Sequence, residues 1–176
     1  MTSPGRVFVA VAVCALALGG CAARSVHSYV EPGANLGRYH RFNWGPADRS
    51  GTGDPRLDNN EIVQARIQAA IEKQLGAKGF EKIASGSPEV LVHYHVSVEQ
   101  RLDLTDRELT TPCPDCKPFI YDAGTLVVDL VDAGSNRVVW RGWSEGNVDG
   151  LIDNQQWLDK ELDNTIKRIF DQLPRR

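Results

Sequence analysis

The chain has 176 residues, of which 20 are Lys or Arg and 23 are Asp or Glu, so its formal net charge is -3. Hydrophobic residues make up 41% of the sequence and charged residues 24%. This composition is typical of a globular protein and excludes collagen, a coiled coil or a disordered chain as a global description. The length favours a single domain, and the mildly acidic charge gives no reason to expect nucleic acid as a partner.

The beginning of the chain has the pattern of a targeting segment. Arg6 is the only charged residue before position 24, and an apolar run extends from Val7 to Leu18. A membrane span needs about 20 apolar residues, so this run is too short to cross a bilayer. A basic start, a short apolar run and two small residues, Gly19 and Gly20, predict a secretory signal peptide over residues 1–20.

The end of that run, Leu18-Gly19-Gly20-Cys21, resembles the lipobox of bacterial lipoproteins, in which the Cys thiol receives a diacylglycerol. The resemblance implies that Cys21 is lipidated and that residues 21–25 form a short tether to the membrane. Two or three acyl chains anchor a protein stably, because each buried CH₂ contributes about 0.8 kcal/mol. Ala22, and not Asp, follows the Cys, which indicates the outer membrane with the domain facing the periplasm. The alternative is an ordinary secretory cleavage site beside an incidental Cys.

The first half of the mature chain contains two short strands, a loop and a long helix. Val26–Glu31 and the aromatic-rich segment Arg38–Trp44 are predicted strands. Gly45–Pro55 is a predicted loop that lacks the Gly-Lys-Ser/Thr ending of a phosphate loop. Asp58–Ala77 is the predicted first helix, with Asp58-x-x-Glu61 as a capping box. Its apolar stripe consists of Ile62, Val63, Ile67, Ala70, Ile71 and Leu75.

Three strands and a second helix follow. In Glu89–Leu104, apolar side chains alternate with polar ones, which predicts a half-buried strand. Phe119–Asp132 and Arg137–Val148 are predicted strands joined by a hairpin turn over residues 133–136. Asp153–Leu173 is the predicted second helix, because its leucines and isoleucines form one stripe and a proline follows it. Asp153-x-x-Gln156 at its start resembles a capping box.

The order of two strands, a helix, three strands and a helix predicts an α+β fold. We expect an antiparallel sheet of about five strands with both helices packed on one face, as a two-layer sandwich. The other face of the sheet should be partly polar. A single periplasmic domain should span residues 26–174.

Several segments of this domain resemble a known family. They are DAGTLVVDLVDA at 122–133, VVWRG at 138–142, the pattern YxxFxW at 39–44 and the ending IFxxLP at 169–174. Together they resemble the bacterial lipoproteins catalogued as domain of unknown function 4136, over roughly Val26 to Pro174. The resemblance implies an envelope lipoprotein with an α+β domain. It implies no known activity and no catalytic residues.

The most distinctive local motif is Cys113-Pro114-Asp115-Cys116, which lies between two predicted strands. Redox-active pairs of this spacing open a helix, whose N-terminus stabilises the thiolate, and that context is missing here. Disulfides persist in the oxidising compartment that an export signal implies, so we expect a disulfide between Cys113 and Cys116. A metal site shared between two chains, which needs four ligands, and thiol–disulfide activity remain alternatives.

Two other pairs have the residue types of metal or acid–base sites. His93 and His95 lie on one face of a predicted strand, at a spacing that suits metal ligands, but a polar solvent-facing edge also explains them. Asp129 and Asp132 could do acid–base chemistry, although Asp132 fits the chemistry of the neighbouring turn better. We therefore expect no catalytic residue, no bound metal and no cofactor.

Trp140 and Trp143 are weak candidates for an exposed aromatic binding surface. Because they are three positions apart in a strand, they should face opposite sides of the sheet. Trp157 opens the second helix, where packing in the core or at its rim is the simpler explanation.

These observations predict a non-enzymatic outer-membrane lipoprotein, attached to the membrane through Cys21, whose domain binds an envelope protein or polymer or supports the envelope. One alternative is an auxiliary thiol–disulfide protein that uses Cys113 and Cys116. Another is a binding module for a small ligand or an envelope polymer on the open face of the sheet. Nucleic acid is not an expected partner.

Overall fold

The computed structural model describes residues 24–48, 50–103 and 119–174. Within these ranges the chain forms six strands, two α-helices and a 3₁₀ turn, Leu36–Arg38, which confirms the α+β class. The strands are β1 (Ser25–Val30), β2 (Arg41–Trp44), β3 (Glu81–Lys82), β4 (Val90–Asp103), β5 (Phe119–Asp132) and β6 (Arg137–Asn147). The helices are α1 (Glu61–Ala77) and α2 (Gln155–Asp171).

The described strands form one sheet in the order β1-β6-β5-β4-β2-β3. The neighbouring pairs β1–β6, β6–β5 and β5–β4 are antiparallel, whereas β2 is parallel to both β4 and β3. The prediction of an antiparallel sheet of about five strands is therefore wrong in number and in direction. The chain passes from β2 to β4 through α1. Such a helical crossover is the usual connection between neighbouring parallel strands. β3 has two residues, too few for an alternating pattern to reveal it.

The turn between β5 and β6 confirms the predicted hairpin. Asp132 organises it, because the Ser135 N–H and hydroxyl donate to Oδ1 at 2.7 and 2.8 Å. The Tyr39 hydroxyl donates to Oδ2 of the same carboxylate at 2.7 Å, and Arg38 pairs with it. The Tyr39 bond and then the Ser135 bonds hold the pKa of Asp132 well below its usual range. Asp132 thus has the turn role that its position suggested.

Both helices begin later than predicted, at asparagine caps. The Asn60 side chain accepts a hydrogen bond from the Val63 N–H, and the Asn154 side chain accepts one from the Trp157 N–H. The predicted capping boxes at Asp58 and Asp153 are therefore wrong. Asp58 and Asp153 resemble caps because each is followed by Glu or Gln three positions later, whereas the residues that cap the helices are the asparagines just after them.

One hydrophobic core joins the two helices to the sheet. Trp140 is fully buried and packs against Phe170 of α2, with ring centroids 5.4 Å apart. The buried side chains of α1 are Val63, Ile67, Ala70, Ile71 and Leu75, as the stripe predicted. Ile62 is the exception, since it is 64% exposed in the first turn of α1. The sheet contributes Val90, Val92, Val128 and Leu130, all fully buried.

Gly142 allows α2 to approach β6 closely. A Cβ at this position would lie 2.5 Å from Cη2 of Trp140 and 2.6 Å from Cγ2 of Ile169. Both neighbours are fully buried, so neither can move without disturbing the core. The missing side chain of Gly142 is therefore the space into which the Trp140 ring and α2 pack.

We expect Gly142→Ala to destabilise the protein by about 1–3 kcal/mol, because overfilling a packed core forces side chains and backbone to shift. Gly76→Ala is the matched control. Gly76 is exposed in α1 and a Cβ there has no neighbour within 4 Å, so the change should stabilise by about 0.5–1 kcal/mol. Urea unfolding measures both. Equal stabilities of Gly142→Ala and the unmodified protein would contradict this description of the core.

Candidate functional site: a polar cleft beside strand β4

The backbone of the loop between β2 and α1 is hydrogen-bonded to β4 at two separated points. Gly45, directly after β2, donates its N–H to the Val92 carbonyl at 3.0 Å. Farther along, the Val98 N–H donates to the Thr52 carbonyl at 2.6 Å. Between these points the loop backbone leaves a cleft of about 230 Å³, and the Asp48 side chain reaches across to His95 of β4. Tyr94, His95 and Val96 of β4 line one side of the cleft, and the opening turns of α1 line the other.

Two glycines permit this close approach of loop and strand. A Cβ on Gly45 would lie 2.1 Å from Cε1 of His93, so the loop crosses directly over the imidazole ring. A Cβ on Gly53 would lie 2.3 Å from the Val98 carbonyl oxygen, and the φ of Gly53 is +86°. A backbone oxygen in a strand cannot move aside as a flexible side chain can. Gly53 is therefore required by both its conformation and its surroundings.

Side-chain hydrogen bonds hold the loop in shape. Asp58 does not cap α1. It accepts hydrogen bonds from the N–H and the hydroxyl of Thr52, both at 2.7 Å. Arg56 donates to the buried Asp54 at 2.9 Å and to Asp153, just before α2, at 2.7 Å. The bonds from Arg56 lower the pKa of Asp54 below its usual value. The loop is thus tied to both helices as well as to β4.

The walls of the cleft carry aromatic and amide groups. Tyr94 packs edge-to-face against Trp44, with ring centroids 5.9 Å apart. The side chain of Gln68 is hydrogen-bonded to Tyr94. Burial of the phenol raises the pKa of Tyr94 above the usual value. Gln64 lines the same wall. A phenol, two carboxamides and aromatic faces suit a neutral ligand that both donates and accepts hydrogen bonds.

The rim of the cleft contains an imidazole, a carboxylate and a hydroxyl. His95 Nδ1 lies 2.6 Å from Asp48 Oδ2, and the Ser50 N–H donates to Asp48 Oδ1 at 2.8 Å. The hydrogen bonds from Ser50, followed by that of His95, lower the pKa of Asp48 to about 2. In a catalytic triad the imidazole lies between the hydroxyl and the carboxylate. Here the carboxylate lies between them, so the Ser50 hydroxyl is not activated by His95.

The structure describes only some of the residues that the sequence marked as candidates. Cys21, Cys113 and Cys116 lie outside the described residues. Trp140 and Trp143 face opposite sides of the sheet, as predicted, with Trp140 in the core and Trp143 half-buried and stacked on His27 at 5.3 Å. The described residues contain no group of three or more His, Cys, Asp or Glu that could hold a metal. Among the same residues, no helix is long and apolar enough to cross a membrane.

One pattern that the sequence analysis missed is Gly-x-Ser-x-Gly at residues 142–146. In hydrolases this motif forms a sharp turn between a strand and a helix, which exposes the serine. Ser144 instead lies inside β6, pairs with Leu126 and is 3% exposed. It lines a second, apolar pocket of about 80 Å³ between the sheet and the helices, and its hydroxyl has no hydrogen-bond partner in the described part of the chain. The motif is therefore part of a strand and not a nucleophile.

Comparison with known proteins assigns the domain to a family. The model of the family described as domain of unknown function (DUF4136) matches residues 26–175. The chain belongs to this family. No curated protein matches the sequence of this DUF4136 chain.

A solved structure shows a similar fold at low sequence identity. A PDZ domain protein from Parabacteroides distasonis is 16% identical to the DUF4136 chain, with a TM-score of 0.56 over 87% of this chain and 36% of that one. This chain therefore spans about a third of that protein. The PelC dodecamer from Paraburkholderia phytofirmans is also 16% identical, with a TM-score of 0.49 over 88% and 99% of the two chains.

The cleft depends on Gly53, and this dependence is testable within one loop. We expect Gly53→Ala to detach the loop from β4, so that exchange of the Val98 amide hydrogen accelerates at least about tenfold, as loss of a protecting hydrogen bond requires. Gly51→Ala is the matched control, because the nearest atom to a Cβ there is 3.8 Å away. Hydrogen exchange followed by NMR measures both variants. Unchanged protection of Val98 in Gly53→Ala would show that the loop contact is absent in solution.

Proposed function

We propose that this DUF4136 protein is a non-enzymatic lipoprotein of the outer membrane that binds a neutral, hydroxyl-bearing ligand of the cell envelope in the cleft beside β4. The signal-like segment over residues 1–20 and the lipobox ending at Cys21 support export and lipidation. The cleft supports binding, and its combination of Tyr94, Gln68 and Trp44 is the observation that carries the proposal.

The chemistry of the cleft favours a saccharide unit as the ligand. Sugars present hydroxyl groups that both donate and accept hydrogen bonds, and carboxamides such as those of Gln64 and Gln68 can serve both roles. The aromatic side chains of Trp44 and Tyr94 supply apolar area for the C–H face of a ring. A cavity of 150 Å³ holds benzene, so about 230 Å³ has room for about nine non-hydrogen atoms. That size corresponds to most of one sugar ring.

The arrangement of titratable groups supports binding over catalysis. Asp48 is held by Ser50 and His95, while Asp54 and Asp58 are held by Arg56 and Thr52. Each of these carboxylates stabilises the loop that forms the cleft. An activated nucleophile requires a base within hydrogen-bond reach, and in the rim the Ser50 hydroxyl is engaged by the carboxylate. The proposed function therefore includes no reaction and no cofactor.

Anchoring is tested at Cys21. We expect the exported protein to enter the detergent phase in Triton X-114 partitioning, and Cys21→Ser to leave it for the aqueous phase, because the acyl chains are lost. Cys14→Ser, within the apolar run, is the matched control and should behave like the unmodified protein. Mass spectrometry of an N-terminal peptide without acyl groups, or a Cys21→Ser protein that stays in the membrane, would contradict the proposal.

Ligand binding is tested by titrating the protein with neutral mono- and oligosaccharides while observing its amide signals by NMR. We expect shifts around Tyr94 and the first turns of α1. Gln68→Leu should weaken binding roughly fivefold, the effect of losing one or two neutral hydrogen bonds. Gln156→Leu, on the exposed surface of α2, should leave the affinity unchanged. Absence of shifts with every saccharide would refute a sugar site, and equal affinities of the two variants would place the site elsewhere.

A further inference from the structure

Exposed apolar side chains concentrate at one end of the domain. We call it the entry end, defined by Ser25 where β1 begins, the end of β4 and the beginning of β5. Six large apolar or aromatic side chains are exposed in the described part of the chain. Four of them belong to the entry end or to the helix starts that face it, namely Leu102, Ile120, Ile62 and Trp157.

The helix starts belong to this end because of what their next residues contact. Val63 and Leu158 follow Ile62 and Trp157 directly and line the apolar pocket. Val98 near the end of β4 and Val148 just after β6 line the same pocket. Both helices therefore begin toward the entry end and run away from it.

Leu102 and Ile120 lie close to the ends of their strands, beyond the level at which β1 begins. They pair directly across β4 and β5 and are 59% and 56% exposed. Through the register of the sheet, Ser25 is level with Ser97 of β4. Leu102 lies five positions beyond Ser97, and a strand rises about 3.4 Å per residue, so this pair stands about 17 Å past the start of β1.

The N-terminal segment leaves the domain at the same end. Arg24 is held in place by an ion pair with Glu161 and by a hydrogen bond of 2.9 Å from Arg168 to the Arg24 carbonyl. Cys21 precedes Ser25 by four residues, which extend about 14 Å at most. A membrane anchor at Cys21 can therefore lie up to about 14 Å from the start of β1, close to the distance of about 17 Å at which Leu102 lies.

We propose that the entry end rests on the lipid surface, with Leu102 and Ile120 inserted among the lipid chains. This inference rests on the proposed lipid anchor, which supplies the tether. The contact is apolar and does not depend on anionic headgroups, because among the described residues the arginines near this end already have acidic partners. Arg101 contacts Glu145, and Arg56 bridges Asp54 and Asp153. Two half-exposed side chains supply a weak contact, so the anchor holds the protein and the contact sets its orientation.

The test places a photo-crosslinking amino acid at position 102, 120 or 30 of the mature protein, reconstituted in phosphatidylcholine vesicles. Val30 is the control, because it is an exposed apolar residue at the opposite end of β1. We expect at least tenfold more lipid adduct from positions 102 and 120 than from position 30. The ratio should be unchanged in 0.5 M salt, since apolar contacts are not screened.

Equal adduct yields at positions 102 and 30, or adducts to protein instead of lipid, would overturn the inference. A yield that falls in 0.5 M salt would also overturn it, because the contact would then be electrostatic. Mass spectrometry of the N-terminal peptide in the same samples distinguishes the two claims. An unmodified Cys21 contradicts the proposed anchor, whereas an acylated Cys21 without lipid adducts at 102 contradicts only the orientation.

Discussion

Strand β4 has 14 residues and its neighbour β2 has four, and the cleft of this protein depends on that difference in length. β2 covers the edge of β4 only from Val90 to Val92. Beyond Val92 the loop backbone leaves the edge, the Asp48 side chain contacts His95, and the Thr52 carbonyl then accepts a hydrogen bond from the Val98 N–H. Because β2 is parallel to β4, the chain must then cross through α1, which closes the cleft from the helix side. The short parallel pairing of β2 with β4 therefore determines where the loop, α1 and the side chains that line the cleft lie.

Small residues on β6 determine how the helices meet the sheet. At Gly142 the absent side chain admits the Trp140 ring and Ile169 of α2. At Gly146 the side chain of Arg24 covers the strand, and a Cβ there would lie 2.4 Å from Cγ of Arg24. Ser144 lies between them at the floor of the apolar pocket. Because of these small residues, α2 and Arg24 both pack against β6.

The antiparallel part of the fold was predictable because its signals are local. Alternation in β4 and β5, and the turn at Asp132, each lie within a few consecutive residues. The parallel pairing of β2 was not predictable in this way, because it depends on a crossover that brings distant segments together. The helix starts were misplaced because Asp58 and Asp153 imitate caps that Asn60 and Asn154 supply. Each difference therefore arises where tertiary contacts decide between similar local patterns.

The cleft was also hidden in the sequence for a physical reason. Tyr94 and Gln68 belong to different elements, and their contact exists only after α1 packs on the sheet. A usable signal was the pair Gly45 and Gly53 at the two places where the loop meets β4. The pair Leu102 and Ile120 likewise became visible only from the sheet register, which pairs them, and from their exposure. The sequence pattern predicted that these residues belong to strands. It did not indicate which part of each strand is exposed to solvent.

The claim that most of the account depends on is that the loop backbone is hydrogen-bonded to β4 through Gly45 and Thr52 and leaves the cleft between these two points. Scalar couplings across hydrogen bonds in a ¹³C,¹⁵N-labelled sample detect these contacts directly. The account predicts one coupling from the Gly45 nitrogen to the Val92 carbonyl carbon and one from the Val98 nitrogen to the Thr52 carbonyl carbon. A Gly45 coupling without the Val98 coupling, or a Val98 coupling to another carbonyl, would contradict the cleft as described.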